Sequence, residues 1–138
     1  GTLEVFGRRV RIEAFPIGIE AGHARRIAED GQASAIYGWK PPLKNATLPS
    51  GEWQSYDMIF EAPRFDSAGK LESPAFVTVF HNGVLTQYRQ NFLGTSGHQN
   101  ILPYEAHPPK GPLRMQDHGN PVEFRNIWIR ELDLHAND

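Results

Sequence analysis

A chain of 138 residues, 39% hydrophobic and 11% aromatic, suffices for one domain with one core and is too rich in aromatics for disorder. Its net charge of −2, from interspersed signs, excludes bulk attraction to nucleic acid or to an acidic membrane surface. The absence of cysteine excludes disulfides and thiolate metal sites, and no apolar run approaches the about 20 residues that span a bilayer.

No signal peptide is visible. Gly 13 and Pro 11 are spread along the chain and punctuate short alternating segments, the mark of an all-β fold with many turns. Residues 2–6 alternate and predict a first strand. Arg9 to Phe15 alternates more clearly, with Val10, Ile12 and Ala14 on one face, and Pro16 ends it. Residues 17–31 read as a loop with a short helix at 22–28, in which His23 is an exposed loop histidine. Gln32 to Trp39 reads as a short strand or extended segment. The prolines of the 41–50 stretch keep it out of any central strand. Tyr37 and Trp39 lie beside that rigid stretch. They suit stacking on the apolar face of a sugar ring, and equally suit capping the edge of the core. Asn45-Ala46-Thr47 has the form of a glycosylation sequon, but without a secretory signal it reads as a chance match.

Residues 51–61 predict a strand with Tyr56, Met58 and Phe60 on one face and Ser55, Asp57 and Ile59 on the other. Residues 62–74 read as a long turn whose Asp66 and Glu72 solvate it rather than bind calcium. Ala75 to His81 is the most β-prone run. Asn82-Gly83 after it is a strong type I′ hairpin signal, and Val84 to Tyr88 returns. Residues 91–110 read as a second long loop, of the kind that is usually functional, with His98, Glu105 and His107 within reach of a cleft. Glu105-x-His107 alone is a weak metal-ligand pattern. A divalent metal therefore stays open, and no cofactor is certain.

The C-terminal third carries the leading site. Residues 111–129 read as two strands joined at His118-Gly119-Asn120-Pro121. Leu113, Met115, Val122 and Phe124 share a buried face, while Gln116, His118, Glu123 and Arg125 fall together on the other. Ile127 and Ile129 look buried yet have the parity of Arg125, so a β-bulge is expected near Asn126. Asp117 caps the turn. The plain alternative to a site is a cross-strand polar pair of His118 and Arg125 on a solvent face.

Several stretches recur in a fixed order: 30–38, 51–57, 62–66, Val77-Thr78-Val79, His81 to Val84, 111–119 and 122–127. Together they resemble the 3-keto-disaccharide hydrolase family over about residues 30–132. The resemblance implies a jelly-roll β-sandwich of concanavalin or laminin-G type, here expected to lack N-terminal strands. It implies carbohydrate on a concave sheet face and a bacterial periplasmic or extracellular setting. The implied substrate is a glycoside with a ketone at carbon 3, cleaved by elimination of the group on carbon 1 and then addition of water. That route needs a base, a cation for the enolate oxygen and an acid for the leaving oxygen. His118, Arg125 and Glu105 are the expected catalytic groups. Gln116, Glu123, Tyr37, Trp39, Gln32 and His107 are the expected substrate contacts. The alternative is a non-catalytic carbohydrate-binding or interaction module on the same fold. Exposed sheet edges would let two copies associate.

Overall fold

The computed structural model describes residues 8–16, 32–97, 100–108, 111–115 and 122–132, the first of these by backbone alone. In chain order the strands are β1 (Arg8–Pro16), β2 (Gln54–Glu61), β3 (Arg64–Phe65), β4 (Leu71–Ser73), β5 (Phe76–His81), β6 (Val84–Asn91), β7 (Thr95–Gly97), β8 (Asn100–Leu102) and β9 (Val122–Glu131). Among the described residues there is no helix. The expectations for residues 2–6, the 22–28 helix and His23 lie outside the described residues.

Five strands form one antiparallel sheet in the order β6-β5-β2-β1-β9. The apolar parity of β2 and β5 explains its inner face. Met58 pairs with Val79 and Phe60 with Val77, so partners in register present the same side. Val77 and Val79 are buried with Ile36, and Trp39, Tyr56, Met58, Phe60 and Phe92 pack around them. The segment 32–48, Phe92 and Tyr104 lie over this face. Gln87 Nε2 donates to the carbonyls of Ser34 and Pro41, Leu43 N–H donates to the Thr86 carbonyl, and the Tyr104 hydroxyl donates to Phe92 O while accepting from Ala75 N–H. The all-β sandwich expected from the sequence is the fold.

Two local expectations hold. Asn82 and Gly83 both have positive φ (50° and 77°), as a type I′ turn requires. Asn126 has φ 53°, and the β1–β9 register slips between Arg11 and Glu13. Two residues of β9 there face one of β1, which returns Ile127 and Ile129 to the parity of Phe124.

Others are corrected. Gln32 to Trp39 is not a strand but a turn closed by an isolated Ile36–Lys40 bridge, because Ser34 and Gly38 both take left-handed φ. The long turn at 62–74 contains the β3–β4 ribbon, in which Asp66 Oδ1 accepts from Ala68 and Lys70 N–H. The stretch 91–110 is not loop throughout either: among its described residues only 92–94 and 103–108 are. β6 runs on to Asn91 and β7 pairs with β8. At Gly94 a Cβ would collide with the Leu102 carbonyl oxygen, so only glycine lets that ribbon close. Residues 113–115 form no strand, so among the described residues β9 is the one arm of the expected hairpin, whose turn lies outside them.

Candidate functional site

The two faces of the sheet carry different chemistry. On the inner face, an apolar cavity of about 500 Å³ is lined by Tyr56, Met58, Val77, Val79, Val122 and Phe124, with Tyr37 and Met115 at its wall. Beside it, sharing Phe92, lies a second cleft of about 460 Å³ lined by Phe60, Tyr104, Glu105 and His107. On the outer face, strand alternation sends Glu123 and Arg125 away from Val122 and Phe124. The Arg125 guanidinium lies over the Trp53 ring, 3.7 Å from its centroid. Such a stack fixes the fork and is worth about 0.5–1 kcal/mol at exposed sites. Arg125 is opposite Glu13 in register, and Glu13 is opposite Ser55. A glutamate position thus neighbours the arginine across the ladder.

The predicted site residues therefore divide. Glu123 and Arg125 share the outer face as expected. Glu105 and His107 come together, but in the inner-side cleft, so the expectation of one cluster joining Glu105 with Arg125 is not met. The loop carrying them is tied to that side by Tyr104 and by Phe65, whose ring meets Tyr104 and His107 edge-on at 6.3 and 5.4 Å. Tyr37 is 46% exposed at the cavity wall. Trp39 packs on the core, which favours its capping role over sugar stacking. Gln32 accepts the Ala35 N–H through its carbonyl and closes the turn. Gln116 and His118 lie outside the described residues, as do Asp117 and His98. Among the described residues no group of three His, Asp or Glu side chains could hold a metal ion.

Sequence reasoning missed a buried polar knot at the end of β2 and β5. Gln54 and His81 have the parity of the core residues, and both are buried. Gln54 Oε1 accepts from Leu48 N–H at 2.9 Å and from Asn82 Nδ2 at 2.7 Å, and meets His81 Nε2 at 3.2 Å. Because that oxygen can only accept, the contact assigns the proton to His81 Nε2. Asn82 Nδ2 also donates to Ala46 O, and Asn82 Oδ1 accepts from Ser55 N–H. The His81 ring stacks on Tyr56, centroids 4.3 Å apart and 8° from parallel. Burial holds the His81 imidazole below its ordinary value of 6.5 and pushes the Tyr56 phenol above 10.0. The available signal was parity: a polar residue in step with a core face must find partners.

The fold is an all-β sandwich whose five-stranded sheet carries Arg125 on one face and an apolar cavity on the other. The chain belongs to the 3-keto-alpha-glucoside-1,2-lyase-like domain family, whose family model matches residues 8–130. Among solved structures it is similar to a candidate glycosyl hydrolase from Parabacteroides distasonis ATCC 8503, with 31% identity and a TM-score of 0.80 over 94% of this chain. The chain spans 66% of that protein's length. No curated protein matches it.

Proposed function

We propose that this protein is a carbohydrate-active hydrolase that cleaves 3-keto-glycosides on the outer face of the sheet. Family membership and the similarity to a candidate glycosyl hydrolase support the broad class. The finer reading rests on one observation: an arginine held over Trp53 on the face opposite the described core. In the reaction, a base removes the hydrogen from carbon 2, which the neighbouring ketone acidifies. The electron pair moves into an enolate whose oxygen needs a fixed positive charge. Arg125 supplies it, since a guanidinium stays charged at all working pH and keeps its planar geometry. Collapse of the enolate breaks the carbon 1–oxygen bond, and the leaving oxygen takes a proton. Water then adds at carbon 1 of the enone, and carbon 2 regains a proton.

His118 is the proposed base, because imidazole titrates near neutral pH. Gln116 and Glu123 orient sugar hydroxyls. Glu105 and His107 take no part in these steps, because they line the other side of the sheet. An exported bacterial setting suits such a substrate.

The test is release from a 3-keto-glucoside with a chromogenic leaving group, with and without divalent metal. The parent releases it, and Arg125→Ala lowers kcat/KM by about a hundredfold or more while leaving the fold intact. His118→Ala abolishes release. A folded parent that releases nothing under any metal would replace this reading with a non-catalytic carbohydrate-binding module.

A further inference from the structure

The cleft at Glu105 and His107 is built rather than incidental. Tyr104 spends its hydroxyl on Ala75 N–H and Phe92 O, which anchors the start of the segment to the ends of β5 and β6. Phe65 wedges against both Tyr104 and His107, and the turn at Gly69 comes up to Ala106. His107 Nδ1 meets the Pro108 carbonyl at 2.8 Å. A carbonyl only accepts, so the proton of the neutral ring sits on Nδ1 and Nε2 keeps its lone pair. The other polar groups at the wall are the Glu105 carboxylate, which makes no hydrogen bond or ion pair with another described residue, and the Thr95 hydroxyl. Phe60, Phe92, Pro63 and Ala75 supply apolar surface, and no lysine or arginine is among the described lining residues.

This inventory selects a ligand. Two groups that only accept, one of them anionic, beside a hydroxyl that can do either and with no lysine or arginine among the described lining residues, call for hydrogen-bond donors that bring positive charge. The apolar surface calls for a ring with an apolar face. About 460 Å³ accommodates a pyranose. We propose that this cleft is a second ligand site, separate from the Arg125 face, which takes an amino sugar. The ammonium pairs with Glu105, a neighbouring hydroxyl donates to His107 Nε2, and the ring lies against Phe60 and Phe92. The proposal does not depend on turnover at the outer face.

The full chain is titrated with methyl 2-amino-2-deoxyglucopyranoside, its N-acetyl counterpart and methyl glucopyranoside, followed by calorimetry or amide NMR. The amino sugar binds about tenfold more tightly than either neutral sugar, as a charge-assisted pair predicts. Glu105→Gln removes the preference, and Arg125→Ala leaves it unchanged. Glu105 is exposed, so the variant tests binding rather than folding. Equal affinity for all three sugars, no binding of the amino sugar in the millimolar range, or a preference that survives Glu105→Gln would overturn the proposal. So would a preference lost in Arg125→Ala, which would place the sugar on the outer face.

Discussion

The knot at Gln54, His81 and Asn82 and the stack of Arg125 on Trp53 stand within a residue of each other in the chain, yet they do opposite work. Trp53 looks outward and Gln54 inward. In the knot the side chains of Gln54 and Asn82 are spent on protein partners, and His81 is fully buried. On the outer face Arg125 is exposed, and its guanidinium lies against the face of the Trp53 ring. Both regions come from the stretches that carry the family resemblance. A recurring motif therefore mixes residues that hold the sheet and its neighbouring loop with residues that meet a substrate, and strand parity separates them.

This contrast can be broken by substitution. Gln54→Ala should cost the most stability, about 3 kcal/mol in chemical denaturation, because it strands Leu48 N–H and the Asn82 and His81 donors together. A loss under 1 kcal/mol would mean the knot is not what fastens residues 46–48. The pH dependence is the next effect. The folded His81 value lies below the unfolded 6.5, so the unfolded chain binds the extra proton first. This contribution to stability is complete above 6.5. It falls as pH drops below 6.5 toward the folded value, by at most about 1.4 kcal/mol per pH unit. His81→Gln should flatten the slope in that window, and an unchanged slope would assign it to other groups.

On the outer face, Trp53→Ala should lower kcat/KM about tenfold by releasing Arg125 from its set orientation. Its stability change should be smaller than that of Gln54→Ala, and the reverse pattern would merge the two regions into one structural unit. The smallest effect belongs to Arg89, which spans Glu61 with two bonds of 3.2 Å and lies over Phe76 at 4.4 Å. The Arg89 side chain is 57% exposed, so Arg89→Ala should cost less than about 1 kcal/mol in the same unfolding assay.

The legible parts of the sequence are those where one physical rule acts alone. Period two gives the faces of β2 and β5, Asn82-Gly83 gives the turn, and the parity break at Ile127 gives the bulge. The ribbons β3–β4 and β7–β8 were illegible because strands of two or three residues have no period to read. They close on local features such as Gly94, and these announce only a loop. The site was half legible. Alternation puts Glu123 and Arg125 together, because they sit two apart on one strand. It says nothing about which side of the sheet a connecting segment crosses, and so it could not separate Glu105 and His107 from the Arg125 face. The knot was readable in principle from Gln54 and His81, whose polar side chains fall in step with valines and aromatics.

The knot also bears on the order of events during folding. Its bonds join residues far apart in sequence: 27 positions separate Gln54 from His81, and 36 separate Ala46 from Asn82. The β5–β6 hairpin closes through its own two-residue turn, but the knot cannot form until β2 has docked on β5 and the loop closure between them has been met. Contacts of this kind belong late on the pathway. Loss of Gln54 should therefore leave the refolding rate nearly unchanged and speed unfolding, so that the knot governs how long the sheet persists once made.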